Sequence, residues 1–215
     1  MITDERIASF INSFNTSYDD ILTDIRKEAE EQGVPIIRQE AAEFIRLLML
    51  MNQPVHILEI GAAIGYSAIF MSRFAPDAAH ITTIENYEPR IVRARENIIR
   101  AGASDKITLM EGDANDILKE LQMSFDFIFV DAAKGQYASF FNEAVRLLEP
   151  GGVLLCDNVL FDGDVLESRF AVTRRNRTIH KRMREFLYDI KHHPQLDTAI
   201  LNIGDGMSLS IKKGI

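Results

Sequence analysis

The sequence predicts a doubly wound α/β fold in one domain, 1–215, with a mainly parallel seven-stranded sheet, an antiparallel edge hairpin and extra N-terminal helices. Three observations predict it. From residue 54 onward, short apolar runs alternate with amphipathic stretches, as successive βαβ crossovers do. The last two apolar runs are joined by Gly204-Asp205-Gly206, a hairpin signal. Before residue 54 the apolar residues fall at helical spacing instead.

Taken in order, Ile7, Phe10, Ile11 and Phe14 mark one helical face, and Ile21, Leu22 and Ile25 a second. Gly33-Val34-Pro35 breaks the pattern. A third helix spans 40–51, with Phe44, Leu47, Leu48 and Met51 on one side, and stops before Pro54. Residues 1–53 thus read as a helical cover and 54–215 as the α/β core. Core strands are expected at 55–60, 80–84, 106–110, 125–130 and 152–156, with helices at 66–74, 88–100, 114–121 and 137–148 between them. A long helix over 174–192 follows, and then the two hairpin strands, 198–203 and 207–212.

Composition narrows the function classes. No apolar run reaches the roughly 18 to 20 residues of a membrane span, and the acidic first residues lack the apolar centre of a secretory leader. The single cysteine, Cys156, excludes an internal disulfide and suits a reducing compartment, so the cytoplasm is the expected location. A net charge of −8 argues against wholesale nucleic-acid binding, yet its distribution is uneven. From Ser168 to Arg184 there are seven cations (Arg169, Arg174, Arg175, Arg177, Lys181, Arg182 and Arg184) and no acid. Such a face suits either a defined anionic partner or plain solvation on an acidic protein.

The run from Ile57 through Glu59 and Gly61 to Gly65 and Ser67 reads as a buried strand, a glycine-punctuated turn and a helix start. Gly61 and Gly65 would let backbone approach a ligand closely, and the helix N-terminus offers free N–H groups. The run lacks both the G-x-G-x-x-G of dinucleotide binders and the G-K-[ST] of phosphate loops. The next strand ends in Glu85, 20 residues after Gly65, where an acid can accept hydrogen bonds from a ribose diol. The third closes with Glu111-Gly112-Asp113-Ala114, positioned to face an adenine ring. In this order at successive strand ends, these features favour an adenosine-type cofactor.

The same run, with Glu85 and Asp131-Ala132-Ala133-Lys134, resembles the cation-dependent O-methyltransferases, the family of the catechol and caffeoyl-CoA enzymes, over nearly the whole chain. The resemblance implies S-adenosylmethionine (SAM) as cofactor, contacted by Gly61, Ser67, Glu85, Asp113, Ala114 and Asp131, with Ile37 closing over it from the N-terminal helices. It also implies a homodimer.

Two strand ends carry oxygen ligands: Asp131 after 125–130, and Asp157 with Asn158 after 152–156. Adjacent strands would bring the three together. Two carboxylates and an amide, without Cys or His, suit a hard cation such as Mg²⁺ and match the metal positions of the resembling family. Such a cation would fix an acceptor oxygen in line with the SAM methyl and lower its hydroxyl's pKa. Lys134, three residues past Asp131, sits within reach of the same oxygen. A lysine beside a divalent cation is pushed toward its neutral form, and the resembling family's lysine here is the general base. Asp131 and Lys134 are therefore the catalytic candidates.

The chelate calls for an acceptor with two adjacent oxygens. Catechols qualify, and so does 5-hydroxyuridine, whose 5-hydroxyl neighbours the C4 carbonyl oxygen. Within the family, Val34-Pro35-Ile36, 131–137, 157–160 and Gly204-Asp205-Gly206 most resemble the bacterial tRNA 5-hydroxyuridine methyltransferases. That resemblance implies formation of 5-methoxyuridine at the wobble position of an anticodon loop. Arg174, Arg175, Arg177, Lys181 and Arg182 would then neutralise tRNA phosphates. The alternatives are a small-molecule catechol-type methyltransferase and, further off, a SAM- or RNA-binding protein without catalysis.

Overall fold

The computed structural model describes residues 5–17, 19–132 and 135–214. Three helices come first, α1 (Glu5–Asn12), α2 (Asp20–Glu31) and α3 (Gln39–Asn52). The core then alternates β1 (His56–Ile60), α4 (Tyr66–Phe74), β2 (His80–Glu85), α5 (Glu88–Arg100), β3 (Ile107–Glu111), α6 (Ala114–Glu120), β4 (Phe125–Val130), α7 (Tyr137–Leu147) and β5 (Leu148–Cys156). A kinked 3-10 stretch, Phe161–Leu166, leads to α8 (Arg177–His192), β6 (Leu196–Leu201) and β7 (Met207–Lys212).

The sheet has seven strands in the order β3-β2-β1-β4-β5-β7-β6. β1 to β5 are parallel, whereas β7 runs antiparallel to β5 and β6 antiparallel to β7. This is the expected doubly wound sheet with its antiparallel edge. Chain direction across the sheet reverses between β1 and β4, so the loops leaving those two strands diverge and open a crevice at their C-terminal ends.

Alternation along the central strands explains why both faces are covered. Ile57, Phe127 and Phe129 join α2, α3 and α4 in one apolar cluster. Leu58, Ile60, Ile128 and Val130 join α6, α7 and α8 in the other. Parallel strands buried on both sides read as continuous apolar runs, which is what made them conspicuous in sequence.

Three elements have bounds that differ from expectation by more than one residue. β5 begins at Leu148, because an irregular pairing with Phe125 and Phe127 carries the ladder through Pro150 and Gly151. β6 is shifted to Leu196–Leu201, since Leu196 is buried and pairs with Lys212 while Ile203 packs at the turn. α8 starts at Arg177; residues 173–176 form a turn closed by the Asn176 N–H donating to the Thr173 carbonyl. Among the described residues, no helix is long and apolar enough to cross a membrane.

Candidate active site

The crevice at the switch point is a cavity of about 670 Å³. Residues leaving five successive parallel strands line it: Gly61 after β1, Glu85 at the end of β2, Gly112, Asp113 and Ala114 after β3, Asp131 after β4, and Asp157 and Asn158 after β5. Ile37 and its neighbours 35, 36 and 38 close one side from the N-terminal cover. Thus Ile37, Gly61, Glu85, Asp113, Ala114, Asp131, Asp157 and Asn158 all meet at one site. Lys134 lies outside the described residues.

The part of the cavity at β2 and β3 is built by backbone amides gathered onto acids. The Glu85 carboxylate accepts from the Ala63 N–H at 2.8 Å, and from the Asn86 and Tyr87 N–H groups at 3.0 Å each. It thereby ties the loop after β1 to the loop after β2. Asp113 caps α6, accepting from the Asn115 N–H at 2.8 Å, and also faces the cavity. Gly61 has φ 103°, and a Cβ there would overlap the Asp131 carbonyl oxygen. Only glycine lets the β1 and β4 loops cross so closely.

Two sequence expectations are placed differently. Gly65 packs toward Ala94 of α5, where an added Cβ would stand 3.4 Å from the Ala94 Cα; it serves helix packing and does not line the cavity. Ser67 also lies off the cavity wall. It is buried on the inner face of α4, with its hydroxyl toward the Glu59 carboxyl of β1.

Glu59, an acid among Ile57, Leu58 and Ile60, belongs to the run that carries the family resemblance but had no role of its own there. It is fully buried and accepts from the Thr83 hydroxyl, while Oε1 has no hydrogen-bond partner. Burial pushes its carboxyl up to about 7; the Ser67 and Thr83 hydroxyls oppose this, and the Asp131 and Glu85 charges add to it.

At the ends of β4 and β5, the Asn158 side-chain amide donates to Asp131 Oδ1 at 3.1 Å, and the Asn158 N–H donates to Asp157 Oδ1 at 2.7 Å. The Asp131 N–H bonds the Ile60 carbonyl and the Asp157 N–H bonds the Val130 carbonyl, which fixes both strand ends at one depth. Among the described residues no three His, Cys, Asp or Glu side chains form a metal-ligating group. The set here is two carboxylates and an amide oxygen, and that donor chemistry fits a hard divalent cation with positions left for water and substrate. Turning the Asn158 amide over would present its oxygen to the same point.

Other functional neighbours were missed because they act across the chain. The buried Tyr137 hydroxyl donates to the Asp157 carbonyl at 2.6 Å. Burial raises its pKa well above the ordinary tyrosine value, with the Asp131 charge adding to this, so it stays a donor. Arg90, Gln136, Phe140 and Asp205 also line the cavity.

None of the five basic candidates lines the cavity, but one abuts its rim. Arg182 donates to the Gly135 carbonyl at 3.3 Å, so the first half of α8 touches the loop that follows Asp131. Arg174 and Arg175 are exposed in the turn before α8, Arg177 is half-buried against the Val172 carbonyl, and Lys181 pairs with Glu185.

Comparison with known proteins agrees with this geometry. A family model described as O-methyltransferase matches residues 12–213. The catechol O-methyltransferase of Niastella koreensis is 33% identical, with 97% of each chain covered. Caffeoyl-CoA O-methyltransferase 1 of Eucalyptus globulus is 31% identical over 79% of this chain and 72% of its own. Among solved structures, the O-methyltransferase from Bacillus cereus in complex with SAH superposes with a TM-score of 0.85 at 26% identity, covering 97% of both chains. A match across nearly the whole sequence, on a sheet whose strand ends gather the same residues the sequence singled out, settles the family: the chain belongs to the O-methyltransferases.

Proposed function

We propose that this chain is a SAM-dependent, divalent-metal-assisted O-methyltransferase whose acceptor is a small molecule with two adjacent oxygens, of the catechol type. One observation carries this: a single cavity is lined by Glu85 and Asp113 from the β2 and β3 side of β1 and by Asp131, Asp157 and Asn158 from the β4 and β5 side. When bound, SAM supplies the methyl group and the cation supplies a Lewis acid that lowers the acceptor hydroxyl's pKa. The chain's own residues do the positioning. Glu85 would hold the ribose hydroxyls, Asp113 and Ala114 would face the adenine, and Ile37 would cover the cofactor. Asp131, Asp157 and Asn158 would hold the cation, with Asp131 at the junction of the two sides. Lys134 is assigned the proton of the acceptor hydroxyl on the strength of the sequence. Methyl transfer is sensitive to alignment, so this positioning should supply most of the rate.

The named relatives, catechol and caffeoyl-CoA enzymes, support the small-molecule acceptor better than the tRNA acceptor expected from sequence. One observation keeps 5-hydroxyuridine in tRNA as the second reading: Arg182 brings the basic segment against the loop after Asp131.

Labelled SAM and Mg²⁺ incubated with a catechol, and separately with tRNA carrying 5-hydroxyuridine, decide between them. Label in the catechol alone is the expected result. Label in the tRNA alone would replace the first reading by the second, and label in neither would leave a binder. Charge reversal at Arg174, Arg175 and Arg177 should reduce only tRNA methylation. EDTA and Asp157→Ala should both abolish transfer while calorimetry still detects SAM binding. Lys134→Met should lower kcat by about 10²-fold or more with SAM affinity unchanged.

A further inference from the structure

The loop after β5 is bent in a way that side chains resist. Asn158, Phe161 and Asp162 have φ of 57°, 50° and 51°, the left-handed region that non-glycine residues avoid. Three such residues within five positions require outside support. It comes from the turn between β6 and β7.

That turn grips the loop at three points. The Val159 N–H donates to the Gly206 carbonyl at 3.0 Å, and the Leu160 N–H to the Asp205 carbonyl at 2.9 Å. The Asp162 N–H donates to the Asp205 carboxylate, Oδ1, at 2.6 Å across 43 residues of chain. Packing closes the joint: Gly206 has φ 82°, and a Cβ there would overlap the Leu160 side chain. Asp205 is itself buried, 7% exposed, and forms part of the cavity wall.

We propose that Asp205 is a positioning residue for the cation site: its turn clamps 158–162 so that the Asn158 amide stays beside Asp131 and Asp157. This rests on the metal reading above. The clamp works through the accepting oxygen and the backbone of the turn, not through direct coordination. The carboxylate is engaged by the Asp162 N–H, and the two backbone bonds hold the segment next to Asn158.

The test uses the full chain with SAM and follows Mn²⁺ uptake by electron paramagnetic resonance. Asp205→Ala should weaken Mn²⁺ binding by about tenfold or more, as loss of an outer-shell support does. SAM affinity should stay close to wild type, and amide exchange at Val159, Leu160 and Asp162 should accelerate. Asp205→Asn keeps an accepting oxygen and should bind Mn²⁺ nearly as wild type. If the alanine variant does not fold, Asp205→Ser, whose oxygen falls short of the Asp162 N–H, takes its place with the same expectation. Undiminished Mn²⁺ affinity in the alanine or serine variant overturns the clamp alone. An asparagine variant as weak as alanine also overturns it, since the negative charge would then be what matters. A wild-type chain that takes up no Mn²⁺ overturns the metal reading and the clamp together.

Discussion

Glu59 lies between the apolar Leu58 and Ile60 in β1 and pairs with Thr83 of β2, the strand that ends in Glu85. Its carboxyl lies at about 7 in the folded protein against 4.5 as the ordinary value, chiefly because burial disfavours the charged form. A carboxyl with a raised folded value binds its proton more tightly when folded. Its contribution to stability is therefore fully present below pH 4.5 and is lost as pH rises toward 7. At about 1.4 kcal/mol per unit, the swing is on the order of 3 kcal/mol. Glu59→Gln keeps a neutral acceptor for the Thr83 hydroxyl but cannot ionise. In the cofactor-free protein, its denaturant stability relative to wild type should rise between pH 5 and pH 8. A gap that stays constant over that range would show that Glu59 is already ionised in the fold at pH 5, with no raised value.

Elements carry the site as much as residues do, and α7 shows how. Tyr137, its first residue, bonds the Asp157 carbonyl at the end of β5, while its ring packs 5.4 Å from Phe186 of α8. One side chain thus ties the acidic strand end to two helices. Tyr137→Phe removes this buried hydrogen bond and should cost about 1 kcal/mol in a chemical melt. It should also weaken Mn²⁺ binding in the same titration, with SAM binding spared; an unchanged melt would place the Asp157 carbonyl in contact with water. This kind of link marks the limit of what the sequence disclosed. The strand ends were legible because apolar runs give way abruptly to Glu85, Asp131 and Asp157, and a parallel sheet brings those ends together. Contacts made across the chain were not. The packing of Gly65 on Ala94 and the turn of the Ser67 hydroxyl toward Glu59 are contacts of this kind. Gly204-Asp205-Gly206 signalled a hairpin, with nothing local to say that it grips 158–162. The shifted bounds of β5, β6 and α8 have the same origin, since pairing partners and not local pattern set them.

At the scale of the whole molecule, α1 and the turn that follows it present large apolar side chains to solvent. Ile7, Phe10, Ile11 and Phe14 are 55%, 65%, 50% and 70% exposed, and Phe10 and Phe14 stack edge to face. α1 packs on α3, where Leu47 and Met51 are also exposed. A cluster of large apolar side chains of this size marks an interaction surface, and a stable dimer needs roughly 800 Å² from each partner. We propose that this face is where two copies of the chain would meet in the homodimer that family resemblance implies. Its N-terminal helices do double duty, since Arg38, next to the cofactor cover at Ile37, pairs with Glu5 of α1 at 3.2 Å. Phe10→Glu combined with Phe14→Glu should therefore convert a dimer to a monomer in sedimentation velocity without changing the far-ultraviolet circular dichroism. Wild-type chain sedimenting as a monomer at micromolar concentration would reject the dimer. A doubly substituted chain that remains dimeric would move the interface to another face.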